Sequence, residues 1–143
     1  MIVKKQHADG FWLYWDDEAN PPKGKIEGDE QVDSMAWIKE KYPHAFPLTF
    51  HVVNEGALPV GYRLKLIQQG LKSGVSDIIT MFGPGAGFEL KIQRKKPRPS
   101  DVKDSQYAFA REMVKAGHPA YICWGASAFK QAWLDYLATF NYG

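Results

Sequence analysis

Three charged residues lie in two apolar, strand-like runs of the sequence. Asp77 falls in the run 75–82, and Glu89 and Lys91 fall in the run 87–92, with a short Gly-Pro-Gly connection between the runs that predicts a hairpin turn. Charged side chains in apolar strands are costly unless they have partners. An acid in one strand and a Glu-x-Lys in its neighbour therefore indicate a divalent-cation site suited to hydrolysis of a phosphodiester.

Strand alternation decides which of these side chains can act together. Glu89 and Lys91 share one face of their strand, whereas Leu90 points to the opposite, apolar face. Pairing of the two strands brings Asp77 beside Glu89, where two carboxylates repel each other unless a cation or a proton lies between them. Hard oxygen ligands of this kind suit Mg²⁺ or Mn²⁺.

Lys91 lies about one strand step from such a site. Its ammonium group could orient a water molecule or neutralise charge on the phosphate, while a metal lowers the pKa of a bound water. A surface hairpin with an ion pair between Glu89 and Lys91 is the alternative, and the hairpin residues alone leave it open.

Four further residues are weaker candidates. Gln106, near the start of a predicted helix, could hold a carboxylate or a phosphate oxygen. Glu55, in an Asn-Glu-Gly turn, could cap a helix or enter the site. Glu27 and Glu30 lie at the start of the first predicted helix, where the helix dipole favours carboxylates in any case.

A basic stretch directly follows the Glu-x-Lys strand. A solvated charge run is its ordinary explanation, but its position would also let it contact phosphates that flank a cleaved bond. The candidate DNA-binding residues in it are Arg94, Lys95, Lys96 and Arg98. The histidines lack metal-binding spacing, and no nucleotide-binding or Ser-hydrolase motif is found.

Composition sets broad limits. The 143 residues suffice for one domain with a real core, and the formal net charge of +2 neither demands nor excludes a nucleic-acid partner. The single cysteine, Cys123, lies in an apolar run that predicts a buried thiol, and a reducing cytoplasm is the expected compartment. No signal peptide and no membrane span are expected.

The predicted elements form an α/β domain with a mixed sheet and helices on both sides. Residues 1–26 are set apart as an aromatic N-terminal extension, either a hairpin packed on the core or an arm that reaches a partner. Beyond the extension and the two runs that carry the charged residues, we predict helices at 28–41, 61–71, from 100 or 101 to 116, and 126–139, and strands at 46–53 and 120–124.

Taken together, the ordered motifs resemble the VRR-NUC domain, a branch of the PD-(D/E)XK nuclease superfamily. The resemblance covers most of the chain, and an ordered set is far more specific than a lone Glu-x-Lys. One departure is Ser76, which stands where a proline often precedes the acid. The matching motifs are Glu27-x3-Gln31-x5-Trp37, Asn54-Glu55-Gly56, Gly70-x3-Gly74-Val-Ser-Asp77, Glu89-Leu-Lys91, Ser100-x5-Gln106 and the turn at Gly117.

The resemblance implies a restriction-endonuclease-like fold with an αβββαβ core over residues 27–143. It also implies a DNA nuclease that depends on Mg²⁺ or Mn²⁺. The implied metal ligands are Asp77, Glu89, Glu27 and the backbone carbonyl of Leu90. The implied catalytic residues are Asp77, Glu89, Lys91 and Gln106, with Glu55 in a supporting role.

The small size resembles stand-alone phage and bacterial members of the family. This resemblance implies a homodimer that cuts branched DNA, as Holliday-junction resolvases do, in the cytoplasm of a bacterial or phage-infected cell. Flap, single-strand or nicking activity would use the same site, so the site residues do not separate these alternatives. A DNA-binding module without catalysis is a further alternative, disfavoured by the intact Asp, Glu, Lys and Gln.

Overall fold

Six β-strands and four α-helices make up the part of the chain that the computed structural model describes, residues 1–20, 23–53 and 59–142. Two 3₁₀ turns, at Phe46–Leu48 and Pro99–Asp101, precede β3 and α3. The strands are β1 (Ile2–Gln6), β2 (Trp12–Asp16), β3 (Thr49–His51), β4 (Ile78–Thr80), β5 (Ala86–Lys91) and β6 (Ala120–Trp124). The helices are α1 (Glu27–Lys41), α2 (Val60–Gln68), α3 (Asp104–Lys115) and α4 (Ala126–Thr139).

All six strands belong to one mixed sheet in the order β1-β2-β6-β5-β4-β3. The β1–β2, β3–β4 and β4–β5 pairs are antiparallel, whereas β6 pairs in parallel with both β2 and β5. The predicted mixed sheet flanked by helices is confirmed, with α1, β3, β4, β5, α3 and β6 in the order of the predicted core.

The two faces of the sheet carry separate apolar layers. Phe88 and Leu90 of β5 point to the side covered by α1 and α4, where they are fully buried. Ile122 and Trp124 of β6 point to the other side, which α3 covers. The predicted alternation along β5 therefore holds, and it leaves Glu89 and Lys91 on the α3 side. Cys123 is buried in the first layer, as predicted.

The first sixteen residues form a hairpin that extends the sheet. β2 lies directly beside β6, and the aromatic side chains of Phe11 and Tyr14 are buried in the two core layers. Of the two arrangements considered for this segment, a hairpin packed on the core is the one adopted. The domain boundary at residue 26 stays a prediction.

Two predicted strands are shorter than expected. Residues 46–48 form a 3₁₀ turn with Pro47 at its start, and β3 begins only at Thr49, whose hydroxyl donates to the carbonyl of Ala45 at 2.8 Å. The predicted strand 75–82 contracts to Ile78–Thr80, so that Asp77 directly precedes β4. These two predictions were therefore wrong at their ends.

The helices near the site also differ in detail. α3 begins at Asp104 rather than near Ser100, because Asp101 uses its carboxylate to accept hydrogen bonds from the backbone of Arg98 and from the indole of Trp124. The apolar side chains of Leu64 and Ile67 on α2 are both exposed. In the described part of the chain, no helix is both long and apolar enough to cross a membrane.

Candidate active site

Three carboxylates from distant parts of the sequence converge at one point. Glu27 is the first residue of α1, Asp77 directly precedes β4, and Glu89 lies within β5. One oxygen from each carboxylate lies within 4.8 Å of the others. We call these residues the acidic triad. The predicted grouping of Asp77 with Glu89 and the first-helix acid is what the structure contains.

Asp77 is held in place by its backbone and its side chain. Its Oδ2 accepts a hydrogen bond of 2.8 Å from the backbone N–H of Leu90, at the point where the β4–β5 ladder runs out. Its carbonyl accepts a 2.8 Å hydrogen bond from the N–H of Val52. The Nδ1 of His51 also lies 2.9 Å from that carbonyl. The carboxylate is thus anchored to β5, beside Glu89.

Gln106 links the two charged residues of the Glu-x-Lys motif. Its Nε2 donates to Oε1 of Glu89 at 2.9 Å, and its Oε1 accepts from the ammonium of Lys91 at 3.0 Å. The same oxygen accepts from the backbone N–H of Lys103 at 2.9 Å and so caps α3. The ammonium of Lys91 lies 3.8 Å from Oε1 of Glu89. The predicted role of Gln106 as a holder of a carboxylate therefore has a geometric basis.

The carboxyl group of Glu89 has too little positive charge near it to favour its ionised form. Burial, followed by the nearby charge of Asp77, raises the pKa of Glu89 to about 9, and Lys91 only partly opposes the shift. Its second oxygen, Oε2, is buried and has no hydrogen-bond partner among the described residues. A buried carboxylate oxygen in this situation needs either a proton or a cation.

Glu27 completes the triad from the solvent side. The residue as a whole is exposed, yet loss of water around its carboxyl group raises its pKa. The charges of Lys91 and Lys103 oppose this shift, whereas the charge of Asp77 adds to it. The Glu27 carboxylate is thus close enough to the other acids for their charges to interact.

These observations fit a divalent cation. Three convergent carboxylates, one with an unpartnered buried oxygen, form the hard oxygen donor set that Mg²⁺ and Mn²⁺ prefer. The residues that would hold the ion are Glu27, Asp77 and Glu89. The backbone carbonyl of Leu90 stays a predicted ligand.

Two glycines permit the close packing around the triad. A Cβ on Gly74 would lie 2.1 Å from the carbonyl oxygen of Ser105, so the loop before Asp77 packs directly on the start of α3. A Cβ on Gly87 would lie 2.6 Å from Oγ of Ser76 and 2.7 Å from Sδ of Met113. Gly74 also has a positive φ of 79°, which disfavours any other residue. The spacing of Gly74 ahead of Asp77 is therefore a packing requirement.

The triad opens into a cleft of about 750 Å³. The residues that line it come from β3, α2, the loop after α2, the 3₁₀ turn at Pro99–Asp101 and the start of α3. Besides the residues already described, the cleft is lined by the basic side chains of Arg63, Lys72 and Lys103. Sequence reasoning did not assign Arg63, Lys72 or His51 to the site.

The predicted DNA-binding stretch lies outside the lining of this cleft. Arg94 and Arg98 both face Asp101, with Nε–Oδ distances of 3.4 and 3.2 Å. Lys95 and Lys96 are exposed. A role of these four residues in DNA binding stays a prediction. Glu55, the supporting residue of the Asn-Glu-Gly turn, lies outside the described residues.

Glu30 is a structural acid next to the site. It is almost completely buried, with 1% of its surface exposed, and its carboxylate lies 2.9 Å from the ammonium of Lys25. Its Oε2 accepts a 3.2 Å hydrogen bond from the backbone of Gln93, two residues after Lys91. Glu30 therefore ties α1, which carries Glu27, to the end of β5. In the sequence, the position of Glu30 one helical turn after Glu27 is what indicates that it lies near the site.

Comparison with solved structures finds a similar fold in a chain described as a VRR_NUC domain protein. The two superpose with a TM-score of 0.66 at 21% sequence identity, over 82% of this chain and 92% of that chain. No protein-family model matches the sequence, and a search of curated proteins finds no match. The chain thus has the VRR-NUC fold that its motifs predicted.

Proposed function

We propose that this protein is a metal-dependent DNA endonuclease of the PD-(D/E)XK type. The observation that carries the proposal is the convergence of Glu27, Asp77 and Glu89 beside Lys91, within a cleft of a VRR-NUC fold. A lone Glu-x-Lys is common, but three carboxylates from separate elements with an unpartnered buried oxygen are not explained by a surface ion pair.

Each residue has a distinct role in the proposed reaction. Asp77, Glu89 and Glu27 would hold Mg²⁺ or Mn²⁺, which would supply an activated water and charge stabilisation at the phosphate. Glu89 would serve as a ligand in its ionised form. Lys91 places its ammonium beside the metal ligands to neutralise charge on the phosphate, and Gln106 orients both Lys91 and Glu89.

A cleavage assay tests the proposal. The protein is incubated with a panel of junction, flap, duplex and single-stranded DNA in Mg²⁺, Mn²⁺ or excess EDTA. We expect cleavage in either metal and none in EDTA, and we expect Glu89→Ala and Lys91→Ala to abolish it. Glu112→Ala and Lys115→Ala are matched controls, because this exposed pair lies on α3 away from the cleft. Full activity in EDTA, or in either site variant, overturns the proposal.

We further propose that the enzyme acts as a homodimer on branched DNA. The exposed apolar side chains on β3 and α2 support the dimer, since a solvent-exposed apolar patch is typical of a protein interface. The residues concerned are Phe50, Val60, Tyr62, Leu64 and Ile67. Analytical ultracentrifugation of the wild type and of Leu64→Glu tests it: a wild-type monomer at micromolar concentration contradicts the dimer. Preferential cleavage of linear duplex in the panel contradicts the branched substrate.

A further inference from the structure

The walls of the cleft carry three basic side chains without acidic partners. Arg63 lies on α2, Lys72 lies in the loop that follows α2, and Lys103 is the residue before α3. Among the described residues, none of the three forms an ion pair. In contrast, Arg94 and Arg98 of the basic stretch share Asp101. The three cations of the cleft are therefore available to an anionic ligand.

The loop after α2 is in direct contact with the start of α3. Gly74 packs against the carbonyl of Ser105, so the loop that bears Lys72 is seated on α3. On the same loop, Oγ of Ser73 accepts a 3.3 Å hydrogen bond from the guanidinium of Arg63. Arg63 and Lys72 are thereby linked to the start of α3, where Lys103 lies.

These cations can offset the negative charge of the acidic triad. Three clustered carboxylates repel a DNA phosphate, and attraction must come from positive groups nearby. The backbone N–H of Lys103 donates to the amide oxygen of Gln106, and the same amide donates to Glu89, so Lys103 lies near the triad on the α3 side. Arg63 and Lys72 add further positive charge to the lining of the same cleft. A DNA backbone that enters the cleft would meet these cations beside the triad.

We infer that Arg63, Lys72 and Lys103 bind backbone phosphates of DNA next to the bond that is cut. This inference rests on the proposed function for the identity of the ligand. Contacts to phosphate carry no base information, so binding through them is independent of sequence and falls steeply with salt.

Binding measured without cleavage tests the inference. A short fluorescent DNA duplex is titrated with the full chain in EDTA at several salt concentrations. We expect Arg63→Ala, Lys72→Ala and Lys103→Ala each to weaken binding by about three- to tenfold and to reduce the slope of log K against log salt by about one. Arg63→Lys and Lys72→Arg keep the charge and should keep the slope.

Lys65→Ala is the matched control, because Lys65 lies on the same helix as Arg63 but does not line the cleft. Wild-type affinity and slope in the three cleft variants, or an equal effect of Lys65→Ala, overturns the inference. An RNA duplex is titrated alongside, and a preference for RNA that depends on these three residues overturns the assignment to DNA. The binding assay in EDTA does not depend on cleavage. If the expected binding pattern is found but the protein shows no nuclease activity in Mg²⁺ or Mn²⁺, the proposed function is wrong and the inference about binding stands.

Discussion

The side-chain amide of Gln106 on α3 donates a 2.9 Å hydrogen bond to Glu89 on β5. The oxygen of the same amide accepts from Lys91 and from the backbone of Lys103. The start of α3 and the two charged residues of β5 are therefore held by one amide group. The cap of α3 and the position of the Lys91 ammonium depend here on the same atom.

Gln106→Ala should affect both stability and activity. Loss of the cap and of the contact to Glu89 should lower the free energy of unfolding by about 1–2 kcal/mol. Because Lys91 and Glu89 lose their common holder, metal affinity or cleavage rate should fall by about 10- to 100-fold. Urea unfolding and single-turnover cleavage measure the two effects. Gln68→Ala, at an exposed position of α2, is the control, and equal behaviour of the two variants would contradict the linkage.

Measurements of metal affinity should distinguish the proposed metal ligands Asp77 and Glu89 from Lys91. Asp77→Asn and Glu89→Gln each remove a negative charge from the triad and should weaken Mn²⁺ binding by at least about tenfold. Lys91→Met removes a positive charge next to the site, so Mn²⁺ should bind at least as tightly as in the wild type. Isothermal titration calorimetry provides the affinities. Weaker Mn²⁺ binding in Lys91→Met would show that the lysine organises the ligands instead.

The stability of the metal-free protein should fall as the pH rises. The pKa of Glu89 is about 9 in the folded protein against 4.5 for a free Glu side chain, so the folded state binds its proton more strongly than the unfolded state. The favourable contribution is complete below about pH 4.5 and is lost between pH 4.5 and 9, with a slope of up to about 1.4 kcal/mol per pH unit. The raised pKa of Glu27 adds to the trend.

Urea unfolding in EDTA across this pH range measures the effect. Glu89→Gln mimics the protonated carboxyl and should flatten the dependence. Depressed pKa values of Asp101 and Asp135 act in the opposite direction, but only at acidic pH, where these carboxylates become protonated. Stability that is constant or that rises between pH 5 and 9 would contradict a protonated Glu89.

Gly74→Ala tests the contact between the Asp77 loop and α3. The added Cβ would lie 2.1 Å from the Ser105 carbonyl, and the residue has a positive φ, so the free energy of unfolding should fall by about 3 kcal/mol or more. Gly70→Ala is the matched control, because Gly70 also has a positive φ but its Cβ would meet no atom within 4 Å. Gly70→Ala should cost only about 1 kcal/mol. If the two variants lost equal stability, backbone strain alone would explain the requirement for glycine at position 74.

Glu30→Ala tests the buried tie between α1 and β5. Removal of this carboxylate leaves the Gln93 N–H and the Lys25 ammonium without it, and should lower the free energy of unfolding by about 2–4 kcal/mol. Asp33→Ala removes the exposed partner of the same lysine and should cost under about 1 kcal/mol. Thermal denaturation compares the two. If Glu30→Ala left the stability unchanged, the position of Glu27 would not depend on this buried contact.

Much of the site could be predicted because local rules govern it. Strand alternation places Glu89 and Lys91 on one face and buries Leu90, and this holds in the structure whatever packs on the sheet. The ends of elements were less predictable. Asp77 precedes its strand and uses its carboxylate to accept from the backbone of Leu90, and α3 begins after a 3₁₀ turn in which the carboxylate of Asp101 accepts from the backbone of Arg98.

The amino-acid sequence by itself determined the order of the elements and the presence of acids, a lysine and a glutamine in or beside the predicted strands and helices. Only the tertiary structure decided that Glu27, Asp77 and Glu89 meet within 4.8 Å and that Arg63 and Lys72 face the same cleft. These residues lie far apart along the chain and are brought together by sheet register and by glycine packing, which depend on contacts between elements rather than on the pattern within any one of them.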